Sequence, residues 1–373
     1  MIRVGFDARW YSSSGVGTYV VNLLNSLGSI DDGDFEVFVY ENPQNPVPVA
    51  SRNLHKRIIQ AQKYSVQEQF ELARLCWTDR LDVFHSPFYI VPFFASCPIV
   101  ATVHDLMAFL FPLYGFVHQN IVRVGYRTGV RKARRVIAVS DTTARDLMSL
   151  LHVPAEKITR VYNGYSKSLF HNQALPDERE YLRRRFGITS EYVLTLSAGN
   201  WRTKNLRGAL GAMAIAEHNS PVPFQSVIVG LEDGYRAAQF AGQLHNPVVT
   251  GFVLKEDLPK LYRNASAFLS VSSYEGFGLP LVEAMACGCP CIVSTGGSLP
   301  EIAGTAAQKF GCDDHHGMAI EIIHLLGDPT YRKLRGQKSL ERAALFSCNY
   351  SAIETLKVYR ELAASKSNRF RLA

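Results

Sequence analysis

Short apolar runs separated by longer stretches of helical period constrain this chain more than any other feature of its sequence. The runs lie at 2–6, 36–40, 82–85, 99–103, 136–140 and 158–162, with helical patterns such as 17–27 and 142–151 between them. This is the β-α-β-α rhythm of a parallel sheet covered on both faces, whose strands read as near-continuous apolar segments. The rhythm breaks at the turn signal Asn163-Gly164 and a polar stretch over 166–185 that contains Pro176. It resumes at 193–197, 226–230, 248–250, 267–271 and 291–294. An α/β chain of two doubly wound, Rossmann-like domains facing a central cleft is expected. The first would span 1–165, a linker 166–188, and the second 189–349. A closing helix over 350–373 would cap the second domain or cross back to the first. With 373 residues, 47% of them apolar, there is enough material for two such cores.

The net charge of +7 is a mild excess that suits anionic partners such as nucleotides, sugar diphosphates or an acidic membrane face. Nothing resembles an arginine-rich arm, a zinc-finger spacing or an aromatic RNA-binding motif, so no nucleic acid partner is expected. Cys287, Cys289 and Cys291 form a C-x-C-x-C run. That spacing lacks the second ligand pair of a zinc site and fits small buried residues at a helix end and the next strand. No metal is therefore expected, and the odd count of seven cysteines points to a reducing cytoplasm. Residues 1–6 begin directly as a buried strand, so no leader is expected. No apolar run reaches the roughly 20 residues of a membrane span.

The most informative segment is SSYEGFGLPLVEAMACGCP, from Ser272 to Pro290. It follows an expected strand and enters a helix. Pro280 suits a first helical position, where an N–H would have no partner. Gly276 and Gly278 let the backbone approach a ligand, and the helix start at 278–281 presents N–H groups to an anion. Glu275 precedes the helix and Glu283 lies inside it. On one continuous helix their spacing would be about 12 Å, too far for the close carboxylate pair of a retaining glycosidase. Two separate contacts to one elongated ligand fit better: sugar hydroxyls at one carboxylate, ribose hydroxyls at the other, a diphosphate between.

The E-x7-E spacing enclosing G-F-G-L-P resembles the signature of the retaining glycosyltransferase family 4, of GT-B fold, and the resemblance covers nearly the whole chain. It implies that Glu275 contacts the donor sugar, with backbone N–H groups around Phe277, Gly278 and Leu279, and that Glu283 binds the ribose. The segment from Ser294 to Ile302, ending in L-P-E-I, resembles the family's next donor loop. In the segment Ala198 to Leu206, Arg202 and Lys204 would offset the charge of a leaving diphosphate. The family often carries an arginine just after the glycine of this segment, where Asn200 stands, so Lys204 is the stronger candidate.

Gly15-Val-Gly17 precedes a helix but stands about eight residues from the first strand, where a dinucleotide turn is tight. The resemblance implies a loop facing the donor phosphates and the acceptor, with Asp7 and Arg9 beside it. His104, at the end of the strand 99–103, is either a cleft residue or a structural histidine by position alone. The resemblance places it near the reacting sugar, with Asp105 orienting its ring. His85 ends a similar strand. Finally, 123–135 carries six basic side chains downstream of an apolar stretch. The region 107–135 reads either as a peripheral contact with anionic membrane or as a solvated helix face.

The motifs most resemble bacterial mannosyltransferases of polysaccharide assembly. The expected activity is transfer of a hexose, mannose from GDP-mannose, with retention, onto a glycan or lipid-linked glycan. It would need no cofactor, with a cytoplasmic location at the inner face of the membrane. The alternatives are a GT-B nucleotide-sugar epimerase, which needs no acceptor, and a non-catalytic nucleotide or glycan binder.

Overall fold

A computed structural model of the protein describes residues 1–12, 14–197, 203–231 and 242–371. The chain forms two compact units, Met1–Gly164 with Ser347–Ala373, and Tyr165–Phe346.

The first unit is built on seven strands: β1 (Ile2–Asp7), β2 (Phe35–Glu41), β3 (Leu54–Ile58), β4 (Val83–Ser86), β5 (Ile99–Val103), β6 (Arg135–Ala138) and β7 (Ile158–Arg160). Their order is β3-β2-β1-β4-β5-β6-β7, and every pairing is parallel. Alternate residues explain the two covered faces. Val4, Phe6, Val37, Val39, Val83 and Val100 pack against helix Ser14–Gly28 and against Leu356, Tyr359 and Leu362 of the last helix, Cys348–Arg371. Phe38, Tyr40 and Phe84 face helix Val66–Thr78 instead. Each such large apolar side chain contributes about 1.5–3 kcal/mol on burial. Tyr359 adds a polar tie, its hydroxyl lying 2.5 Å from His85 Nδ1. The last helix is thus part of the first unit.

The second unit holds β8 (Tyr192–Leu196), β9 (Gln225–Val229), β10 (Pro247–Gly251), β11 (Ala267–Ser270), β12 (Cys291–Ser294) and β13 (Gln308–Phe310). The order is β10-β9-β8-β11-β12-β13, again parallel throughout. Val193, Ile228, Leu269 and Ile292 pack against helices Leu206–Asn219 and His315–Gly327.

Two strands and one helix depart from the sequence reading. β3 (LHKRI) buries only its first residue and β13 (QKF) none, because each is an edge strand with little core to meet. The stretch 166–188, expected as a linker, belongs to the second unit and contains helix Glu178–Phe186. Its polarity hid one buried anchor, Leu182, and an ion pair: Arg263 Nη2 lies 2.5 Å from Glu178 Oε1 with both side chains buried. Among the described residues, no helix is long and apolar enough to cross a membrane.

Candidate functional site

Strand order in the second sheet reverses between β8 and β11. Loops leaving the carboxyl ends of two such neighbours diverge, and the gap between them is where ligands bind in open α/β sheets. The chain leaving β8 passes through 198–202, which lie outside the described residues together with the candidate Arg202 and Asn200, and returns at Thr203. The chain leaving β11 reaches Ser272–Glu275. The two loops are tied across the gap, Ser273 N–H donating to the Thr203 carbonyl at 2.8 Å.

Over this tie Lys204 Nζ lies 2.6 Å from Glu275 Oε1, and the Ser272 hydroxyl donates to the same oxygen at 2.8 Å. The Lys204 side chain is 24% and the Glu275 side chain 13% exposed, so a ligand can still reach the pair. Lys204, Ser272, Glu275, Gly278 and Pro280 line one small recess with the ends of β8 and β11. Sequence reasoning did not find Ser272. Its signal is only its place three residues before the glutamate.

Gly278 has φ 87° and opens helix Leu279–Ala286. A side chain there would be strained, and its Cβ would approach Leu299 Cδ2 to 2.9 Å. Leu281 N–H already donates to the Gly278 carbonyl, and Pro280 has no N–H. The N–H groups that this helix start could offer an anion therefore narrow to those of Gly278 and Leu279. Gly276 and the buried Phe277 complete the turn, Phe277 meeting Phe346 edge-on at 5.7 Å.

Glu283 lies on this helix and is only 7% exposed. Burial pushes its carboxyl pKa up to about 7, against the opposing pull of Lys255. Its backbone carbonyl accepts the Cys287 N–H, while its carboxylate has no donor among the described residues. A carboxylate largely removed from water and without a protein donor costs stability when it is charged. A ligand hydroxyl would supply the missing donor.

The segment after β12 holds the Glu275 loop from behind. Ser294 Oγ donates to the Ser272 carbonyl at 2.5 Å and Ser298 N–H to the Glu275 carbonyl at 2.9 Å. A Cβ at Gly296 would sit 2.2 Å from the Ser272 carbonyl oxygen. At Gly297, where φ is 58°, it would sit 2.4 Å from that of Glu275. The paired glycines are required by this backbone-to-backbone approach. Cys287, Cys289 and Cys291 beside it are buried, their thiols facing local carbonyls or apolar surroundings. Burial pushes Cys287 up to about 12 and raises the other two thiols as well. Among the described residues no group of three or more His, Cys, Asp or Glu is placed to hold a metal.

In the first unit the candidates scatter among different tasks. Gly17 sits in the first turn of its helix against the Tyr11 carbonyl oxygen, 2.0 Å from where a Cβ would stand, while a Cβ at Gly15 would meet nothing among the described residues. His104 is half-buried, and its Nε2 lies 2.9 Å from the Pro87 carbonyl. Burial lowers its pKa to about 4, so the ring is neutral near pH 7. Nε2 must then carry the proton, which leaves Nδ1 as a free acceptor. The expectation that Asp105 orients this ring is corrected: Pro87 does so, and Asp105 Oδ1 accepts the Met107 N–H at 3.0 Å. Asp7 and Arg9 are not free polar groups either. Both are buried, Arg9 Nε and Nη2 clamp the Asp7 carboxylate at 2.8 and 2.7 Å, and Nη2 also reaches Glu68 Oε1 at 2.5 Å. Glu68 lies 59 residues away in sequence, beyond any motif. His85 is wholly buried between Tyr359 and Thr102, a structural histidine whose pKa burial lowers to about 3.

Comparison with known proteins places the chain among glycosyltransferases. Residues 178–342 match the family model described as glycosyl transferases group 1, and residues 13–168 the model described as glycosyltransferase family 4. The chain is 27% identical over 296 residues to O-antigen chain mannosyltransferase B of Escherichia coli, covering 75% of this chain and 74% of that protein. It is 26% identical over 224 residues to the serotype-specific mannosyltransferase WbdA of Escherichia coli, covering 58% of this chain but only 27% of that longer protein. In fold it is similar to sucrose-phosphate synthase from Thermosynechococcus elongatus, with a TM-score of 0.79 at 20% identity over 98% of this chain and 100% of that one. One family model spans most of each unit, and the chain belongs to the family 4 glycosyltransferases of GT-B fold.

Proposed function

We propose that this glycosyltransferase moves mannose from GDP-mannose, with retention of anomeric configuration, onto a glycan or lipid-linked glycan of a cell-surface polysaccharide. The observation that carries the reading is the Lys204–Glu275 pair at the switch point of the second sheet, beside the start of helix Leu279–Ala286. Mannose is favoured by the relatives named above. Glu275 accepts hydroxyls of the donor sugar. The N–H groups of Gly278 and Leu279 and the Lys204 ammonium take the diphosphate, and Glu283 the ribose. In the step itself the bond from the anomeric carbon to the phosphate oxygen breaks and a bond to the acceptor oxygen forms. The acceptor's proton leaves toward the departing phosphate. Charge that builds on the diphosphate falls on Lys204 and the helix start, so no divalent ion is called for. His104, neutral and with Nδ1 free, accepts a hydrogen bond from a sugar hydroxyl. Glu275, whose Oε1 is held by Lys204 and Ser272, serves as a holder rather than a nucleophile.

The test is incubation with GDP-mannose and a mannooligosaccharide in the presence of EDTA. An α-linked product, identified by its one-bond C–H coupling in NMR, is expected. A β-linked product contradicts retention, and activity restored only by added Mg²⁺ or Mn²⁺ contradicts the metal-free step.

The same reading places the enzyme at the cytoplasmic face of the membrane. Helix Phe116–Lys132 leaves Phe116, Val117, Ile121 and Val124 exposed, and Arg127, Arg131, Lys132 and Arg134 follow, also exposed. Apolar residues that insert beside cations that meet phosphate are the pattern of peripheral binding. Flotation with phosphatidylglycerol vesicles is expected at low salt and not with phosphatidylcholine alone. Equal recovery with both lipids would remove the membrane contact.

A further inference from the structure

The first sheet has a switch point of its own, between β1 and β4, where strand order reverses. In the second sheet a charged pair bridges the equivalent gap. Here two aromatic rings do so: Trp10, just after β1, and Phe88, just after β4, lie with centroids 4.3 Å apart. Tyr64, from the loop after β3, meets the Trp10 ring edge-on at 5.7 Å. Lys63 Nζ lies 4.6 Å from the Trp10 ring centroid. The carboxylates nearest to Lys63, Asp7 and Glu68, are already held by Arg9, and Lys63 has no ion-pair partner among the described residues.

Two further details mark this cluster. The Trp10 indole N–H is buried without a hydrogen-bond partner among the described residues. Tyr64 has φ 65° and yet is 66% exposed. A bulky residue rarely adopts the left-handed region, and one that does so is held there by its surroundings. The restraint is visible: Glu68 Oε2 accepts the Tyr64 N–H at 2.7 Å, and Glu68 is itself fixed by Arg9, which Asp7 clamps. The buried triad therefore fixes an exposed aromatic ring at the carboxyl edge of the sheet.

From this geometry we propose that Tyr64, backed by Trp10 and Phe88 with Lys63 beside them, is a stacking platform for a pyranose unit of the acceptor glycan. The apolar face of a pyranose presents C–H groups made partly positive by neighbouring hydroxyls, and these fit the electron-rich face of an aromatic ring. The hydroxyls at its rim are acceptors for the Lys63 ammonium. The proposal rests on the transferase reading for the word acceptor, but not for the binding itself.

The experiment is glycan binding by the full chain without donor, using immobilised gluco-, manno- and galacto-oligosaccharides, alongside calorimetric titration of the same samples with GDP. The native chain is expected to retain at least one of the glycans. Tyr64→Gly, which accepts a positive φ without strain, weakens that binding by roughly ten-fold or more, the scale of one stacking contact. Tyr64→Phe keeps it within roughly three-fold on the same scale. GDP affinity is unchanged in both variants. Undiminished glycan binding by Tyr64→Gly overturns the platform, as does a native chain that retains none of these glycans. Glycan binding without GDP binding would instead remove the transferase reading and leave the platform standing.

Discussion

Glu275→Ala lowers kcat for sugar transfer by about 10³-fold while GDP binds within about three-fold of the native chain. On the proposed roles the two effects separate, because Glu275 holds the sugar and the nucleotide lies toward Glu283. Glu275 Oε1 is already engaged by Lys204 and Ser272, and Oε2 has no donor among the described residues. That free oxygen is the one a sugar hydroxyl would use. Its removal takes away a contact to the group in motion, so the loss appears in the chemical step more than in ground-state binding. The nucleotide keeps the Gly278 and Leu279 N–H groups and Glu283. The alanine variant also frees Lys204, which strengthens rather than weakens attraction for a diphosphate. Steady-state kinetics with GDP titration reads both quantities. Native-like kcat would remove Glu275 from the site.

Glu283→Gln raises the stability of the fold at pH 8 by about 3 kcal/mol, and raises it little near pH 4. The sign follows from the direction of the shift. Burial raises the folded carboxyl from its ordinary 4.5 to about 7. Between those values the unfolded chain gives up its proton first, so stability falls as pH rises through the window. Above the folded value the full cost of a buried charge is present. Glutamine carries no charge in either state and escapes that cost. If Glu283 takes the ribose as proposed, the same substitution replaces a charged acceptor by a weaker one, and GDP is expected to bind roughly 10- to 100-fold less tightly. A more stable protein with a poorer ligand is the mark of a residue kept for binding. Denaturation at pH 4 and pH 8, with GDP titration at pH 8, tests both halves. A glutamine variant less stable at pH 8, or one with native GDP affinity, contradicts the role given to Glu283.

What the sequence made readable was the buried and the local. Central strands such as β1 and β2 are covered on both faces, so their apolar runs stand out against the helices between them. The order Glu275, Gly278, Pro280, Glu283 is one loop and one helix start, and local spacing carries its geometry. Edge strands β3 and β13 were hidden because they have little to bury, and helix Glu178–Phe186 because an ion pair to a residue 85 positions away stands where apolar contacts would be. The same distance effect governs the candidate residues of the first unit. Asp7 and Arg9 looked like free polar groups until Glu68 was brought beside them, and His104 was assigned to Asp105 until the Pro87 carbonyl appeared 2.9 Å away. Strand-end position in the sequence does not distinguish His104, half-buried with one nitrogen free, from His85, sealed in the core with both nitrogens engaged.

The most direct test of the donor site is thermal unfolding of the native chain with GDP, UDP, dTDP or ADP, each at the same concentration. A nucleoside diphosphate at 100 times its dissociation constant stabilises by about 2.7 kcal/mol, enough to separate one base from another. GDP is expected to raise the unfolding temperature most, and GDP-mannose with it. A larger rise with another base would contradict the guanine and mannose assignment. No rise with any of the four would contradict the donor site at Glu275–Glu283 itself.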